Sequence, residues 1–164
     1  MKKYIIWFMV TISWIIGQER IAVMQFEGSG VDEITSKNIT DRFSYELSKT
    51  RRFDIVEREM MDKILEEQKF QASGCVADEC AVEIGQLIGV SQIVAGSISK
   101  IGDFYSLNIK LIDVATGKII YQDMDDHEGK VTDFIKGTIK NIAMRMGAEA
   151  SMGSDQSGET TTQY

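Results

Sequence analysis

The sequence predicts one α/β domain, a mixed sheet of about five strands in the order β-α-β-α-α-β-β-β-α with helices packed on its faces. Three observations predict it. Nearly continuous apolar runs such as Ile21-Ala22-Val23-Met24-Gln25-Phe26 read as strands covered on both faces. In the first half, segments with a helical apolar period separate them. After residue 92 the period drops to two and tight turns appear, which reads as an antiparallel meander.

Residues 21–26 form the first strand, and Glu27-Gly28-Ser29-Gly30 reads as the turn that leaves it. Val31, Ile34, Ile39, Phe43 and Leu47 then drift around one broad helical face. Phe53-Asp54-Ile55-Val56 is a short second strand. The next helix has the cleanest pattern, with Met60, Met61, Ile64 and Leu65 on one face and Glu59, Asp62, Lys63 and Glu66 on the other. Residues 72–77 read as a loop. Asp78 can cap a third helix carrying Ala81, Ile84, Leu87 and Ile88, which Gly89 is placed to end. Residues 92–99 are a third strand, followed by a turn at Gly102-Asp103. Tyr105, Leu107, Ile109 and Leu111 alternate with Ser106, Asn108 and Lys110, so the fourth strand has one buried and one wetter face. Ala115-Thr116-Gly117-Lys118 is a hairpin turn. Residues 118–124 are the returning strand, and Val131, Phe134, Ile135, Ile139, Ile142 and Met146 mark a final helix.

The 164 residues suffice for one domain and one core. Lys2 and Lys3 precede an apolar run at residues 4–16, and Gly17 precedes Gln18-Glu19-Arg20. This is the pattern of a secretory leader, residues 1–17, with cleavage between Gly17 and Gln18. An uncleaved anchor is the alternative, although the run is shorter than the roughly 20 apolar residues of a spanning helix. Residues 18–148 then form the domain. Residues 149–164 are small and polar and read as a disordered tail. The formal charge is −7; losing Lys2 and Lys3 with the leader takes it to −9. An acidic chain argues against nucleic acid and against adsorption to an anionic membrane.

Candidate chemistry is sparse. Cys75 and Cys80 are the only two cysteines, and in an exported chain such a pair reads as a disulfide, with free thiols as the alternative. One histidine and two cysteines fall short of a structural zinc site. Gly28-Ser29-Gly30 sits between a strand and a helix, where phosphate loops occur, but it lacks a third glycine and the Gly-Lys-Ser/Thr ending. His127, the single histidine, lies among Asp123, Asp125, Asp126 and Glu128. A hard cation could use such oxygens, but no calcium-loop spacing is present, and a charge run at a strand end is usually a solvated edge. No serine has a nucleophile-elbow context. The expectation is therefore no catalytic residue, no cofactor and no metal.

Several stretches together resemble a known family. They are Ile21-Ala22-Val23-Met24-Gln25-Phe26-Glu27, Arg52-Phe53-Asp54-Ile55-Val56-Glu57-Arg58, Glu67-Gln68 with Ser73-Gly74, and Glu83-Ile84-Gly85-Gln86-Leu87-Ile88-Gly89-Val90. They continue through Ile93-Val94-Ala95-Gly96-Ser97-Ile98 and Leu111-Ile112-Asp113-Val114-Ala115-Thr116-Gly117. Their order is similar to the periplasmic domain of the curli component CsgG, and also resembles LpoB, FlgO and the N-terminal domain of TolB. The resemblance spans nearly the whole mature chain. It implies a bacterial envelope protein that works by assembly or contact, and it supplies no catalytic residue. It also implies structural roles, with Arg58 anchoring the second helix and Gly85, Gly89 and Gly96 at close-packing or turn positions. The chain departs from the channel component in two ways. It has no cysteine directly after the predicted cut for lipidation, and no long alternating insert for a membrane barrel.

The expected function is a non-enzymatic periplasmic accessory protein contacting another envelope protein in secretion, peptidoglycan-synthase activation or a flagellar or Tol-type assembly. One alternative is a homo-oligomeric ring subunit. Another is a small-ligand or metal-dependent hydrolase built on the cluster from Asp123 to Glu128.

Overall fold

The structure of the protein is a computed structural model that describes residues 18–68 and 78–153. The predicted leader with Gly17, the loop carrying Cys75, and residues 154–164 lie outside the described residues.

The first apolar run forms β1 (Glu19–Val23) and continues into β2 (Glu27–Ser29), which leads to α1 (Glu33–Ser48) and β3 (Phe53–Ile55). Then come α2 (Arg58–Glu67) and α3 (Asp78–Ile88). The meander is β4 (Gln92–Ile101), β5 (Phe104–Asp113) and β6 (Ile119–Glu128), followed by α4 (Val131–Lys136) and α5 (Thr138–Gly153). The strands make one sheet in the order β3-β1-β4-β5-β6, with β2 also on β4. β1 is parallel to β3 and β4, whereas β4, β5 and β6 are antiparallel.

Strand alternation divides the core into two layers. Ile21, Val23, Val94, Ile98, Leu107 and Ile109 pack beneath α1, α4 and α5. On the opposite face, Ala22, Ile93 and Ile112 pack beneath α2 and α3. Phe26 and Phe43 meet edge to face in the first layer, with ring centroids 5.3 Å apart.

Three details differ from the sequence expectation. Glu27-Gly28-Ser29 is a strand instead of a turn, giving six strands instead of five. The cause is a bulge. Val23 lies opposite Val94 and Glu27 opposite Ser97, so Met24, Gln25 and Phe26 face only Ala95 and Gly96. The backbone groups released by the bulge are taken up by α1. The Phe26 N–H donates to Thr40 Oγ1 at 3.0 Å, and Ser36 Oγ donates to the Phe26 carbonyl. This explains why two hydroxyl residues, Ser36 and Thr40, are buried.

The final helix is two helices, because α4 ends at Gly137, whose N–H donates to the Asp133 carbonyl at 2.8 Å. α5 then runs to Gly153, past the predicted boundary at residue 148. Ala150 still packs against the first core layer there, so burial extends the helix beyond the apolar pattern. The returning strand is also longer than predicted and contains the whole acidic run to Glu128.

The positions singled out by the resemblance have structural roles. Arg58 Nε reaches Asp41 Oδ1 on α1 at 3.1 Å and ties the start of α2 to its neighbour. Gly89 has φ +75° and ends α3, with the Gly89 and Val90 N–H groups both donating to the Gly85 carbonyl.

Candidate functional site

β6 is an edge strand, so its two faces lie in different surroundings. Tyr121, Asp123, Asp125 and His127 alternate toward the α4/α5 side and are half-buried. Asp123 Oδ2 accepts from Arg145 Nε of α5 at 2.7 Å and from the Tyr121 hydroxyl at 2.9 Å. Asp125 Oδ2 accepts from Arg145 Nη2 at 3.2 Å. Burial alone would raise the Asp123 carboxyl, but the bonds from Arg145 and Tyr121 outweigh it and hold it below the ordinary value. Burial, reinforced by the Asp123 carboxylate, pushes the Tyr121 phenol up to about 12. The His127 ring lies 6.2 Å from that of Phe134.

Asp126 and Glu128 point to the opposite face and are exposed. The acidic run therefore does not converge. It splits into an arginine-neutralised pair with a histidine packed beside an aromatic ring, and two solvated carboxylates across the sheet. Among the described residues no group of three or more His, Cys, Asp or Glu side chains could hold a metal ion.

The other predicted positions are equally plain in their surroundings. A Cβ on Gly28, in β2, would lie 2.8 Å from Val31 Cγ2, so the space beside it is filled by its own neighbour. Asp32 caps α1 by accepting from the Thr35 N–H at 2.9 Å. Gln18 Nε2 donates to the Arg51 carbonyl at 2.7 Å, tying the residue before β1 to the approach to β3. Cys80 lies in the first turn of α3 and packs against the second core layer. Nearby, Lys110 Nζ of β5 pairs with Asp78 Oδ1 at 3.0 Å.

That ion pair marks where helical cover ends. Beyond it, no described helix packs over the second face of the meander. Three cross-strand rows lie there, with Ser99, Ser106 and Asn108 half-buried and the outer members exposed: Ser97-Asn108-Met124, Ser99-Ser106-Asp126 and Ile101-Phe104-Glu128. Ile101 is 79 % exposed, Met124 61 % and Phe104 42 %. Serine and asparagine between large apolar side chains, flanked by carboxylates, make a surface suited to contact. The sequence showed the wetter face of β5 but not its neighbours, because alternation assigns faces and only register assigns rows.

An open, mixed-sheet α/β domain with two helical layers and, among the described residues, one sheet end without helical cover is thus the class of protein that the fold defines. Residues 19–103 match the family model of the curli production assembly/transport component CsgG, and the chain belongs to that family. The match ends in the β4–β5 turn, so β5, β6, α4 and α5 lie beyond it. Among solved structures, the LpoB C-terminal domain from Salmonella enterica is similar at TM-score 0.59 and 14% identity, covering 71% of this chain and 87% of that one. Lipoprotein GNA1162 from Neisseria meningitidis is similar at 0.59 and 12%, covering 85% and 99%. TolB from Acinetobacter baumannii is similar at 0.50 and 13%, covering 84% of this chain and 29% of that one. At these identities the likeness is one of fold. No curated protein sequence matches the chain.

Proposed function

We propose that this chain is a non-catalytic accessory module of the bacterial envelope, exported to the periplasmic side, where it works by contact with another envelope protein. The observation that carries this reading is the end of the sheet without described helical cover, where Ile101 and Phe104 stand exposed as direct cross-strand partners and Met124 is exposed two rows along the same face. Isolated exposed apolar residues are ordinary, but neighbouring ones on a rigid sheet favour association. Membership of a family of envelope assembly and transport components supports the same reading.

Photo-crosslinking in cells tests it. A photoreactive residue replaces Phe104 or Met124, and Tyr45 on α1 serves as a control position. An envelope protein captured from the two sheet positions and not from Tyr45 is the expected result. Capture from Tyr45 alone, or from none of the three, overturns it. Self-crosslinks alone, with a discrete larger species in light scattering, would replace it with a ring of identical copies.

A further inference from the structure

We infer that the outer edge of β6 is a strand-addition site for an extended segment of the partner, one that alternates apolar and basic residues. This rests on the contact reading above and names where and how the contact is made.

The sheet has two edges of different kinds. β3 is three residues long. β6 is ten residues long and pairs with β5 without interruption from Glu128 back to Tyr121, its irregularity confined to the start near Ile119. No described strand pairs with its outer side, and the chain has no proline to block that side. A long regular edge presents a row of backbone donors and acceptors ready for another strand.

The side chains define the occupant. On the open face, Met124, Asp126 and Glu128 recur at every second residue, about 7 Å apart. A strand added beside them places its own side chains directly opposite, about 5 Å away. In a strand that alternates apolar and basic residues the basic set falls on this face, which places cations against Asp126 and Glu128 and an aliphatic side-chain stem against Met124. On the other face Arg145 already pairs with Asp123 and Asp125 and needs no further charge.

The same charges argue against a second copy. Two β6 edges laid together would pool Asp123, Asp125, Asp126 and Glu128 of both copies on one seam, and any antiparallel register centred on the acidic end would set them opposite one another, with Arg145 already engaged within each copy. Like charges directly opposite are destabilising. Edge carboxylates that deter self-pairing are a known protective device, but they leave a basic strand free to add.

The test uses the purified chain and a synthetic peptide of alternating lysine and valine, with a glutamate-valine peptide as its counterpart. The lysine peptide is expected to bind about tenfold more tightly and to slow amide exchange in β6 but not in β3. Two further lysine peptides carry backbone N-methyl groups at odd or at even residues. One set must abolish binding and the other must not, because an added strand uses the N–H groups of only one side. Asp126→Lys with Glu128→Lys, both at exposed positions, should reverse the peptide preference. Equal effects of the two methylated sets, protection away from β6, or an unchanged preference in the double variant overturns the proposal. An envelope partner crosslinked at Phe104 without these signatures leaves the accessory reading standing and removes the strand-addition site.

Discussion

The Phe26 ring lies against the position where Gly96 has no side chain. A Cβ placed on Gly96 would sit 2.9 Å from the ring Cδ1 and Cε1 atoms and 2.8 Å from the Asn108 carbonyl oxygen. The bulge at residues 24–26 swings Phe26 onto the α1 side of the sheet, and the missing side chain at Gly96 makes room for it. Gly96→Ala should therefore overpack the core and destabilise the fold by about 2 kcal/mol. A fall in the urea midpoint at unchanged slope is the expected result. An unchanged midpoint would mean that the ring shifts freely.

Thr40 holds the same bulge from the helix side. Its hydroxyl accepts from the Phe26 N–H and donates to the Ser36 carbonyl at 2.9 Å, with no solvent exposure. Thr40→Val keeps the shape but leaves a buried N–H unpaired, at a cost of about 1–3 kcal/mol. Thr40→Ser keeps the hydroxyl and loses one methyl, about 1 kcal/mol. Serine should be the milder variant in urea unfolding, and the Phe26 amide should exchange faster in the valine variant alone.

Gly85 and Gly89 are glycines for different reasons. A Cβ on Gly85 would meet Val114 Cγ2 at 2.5 Å, whereas Gly89 faces open space but has φ +75°. Asparagine tolerates left-handed backbone better than alanine does. At position 89, asparagine should therefore be the milder replacement, and at position 85 alanine should be. Thermal melts of the four single variants check the crossover. Combining Gly85→Ala with Val114→Ala should cost less than the two losses added, by about 1 kcal/mol.

Most elements could be read from the sequence because their apolar period and their turn residues agree. α2 shows Met61 and Leu65 buried at helical spacing, and the β5–β6 hairpin has Asp113 accepting from the Thr116 N–H at 2.7 Å with Gly117 at φ +68°. The bulge was not legible, because one extra residue, three set against two, leaves an apolar run looking continuous. Glu46 was not legible either. It reads as a solvated helix position, yet it is 3% exposed, held by Arg42 at 2.6 Å and Lys49 at 3.0 Å. The acidic run at the end of β6 reads as a strand terminus because its partner, Arg145, lies 22 residues beyond Asp123 on α5. The candidate surface shares that limit, since its rows come from three strands whose register no local pattern states.

Arg145 gives the structure a pH signature. The Asp123 carboxyl is held below its ordinary value of 3.8 in the folded chain. A depressed carboxylate contributes stability that is fully present above the unfolded value and is lost as pH falls through the folded value. The wild-type urea midpoint should therefore decline as pH drops below about 4. Arg145→Met should lower the midpoint near neutral pH, and its difference from wild type should shrink on acidification. The Tyr121 phenol gives the alkaline counterpart. With its folded value pushed up to about 12, the stability it contributes is present below the ordinary value of 10.0 and lost as pH rises toward 12. Phenolate absorbance should show Tyr121 titrating late in the folded chain, and Asp123→Asn should move it part of the way back, because burial still raises it.

Cys80 opens α3 beside the Asp78–Lys110 pair, so a bond from it to Cys75 would fasten the preceding loop where helical cover of the sheet stops. Chain-entropy arithmetic for so short a loop gives roughly 2 kcal/mol. Intact mass of the exported protein should correspond to a chain beginning at Gln18, and it should rise by about two daltons on reduction. Reduction should also lower the urea midpoint without unfolding the chain, because both core layers are formed by residues outside the bridge. A mass that still includes Met1 would favour a retained anchor over a cleaved leader. A mass unchanged by reduction would mean that the loop before α3 is held without a covalent tie.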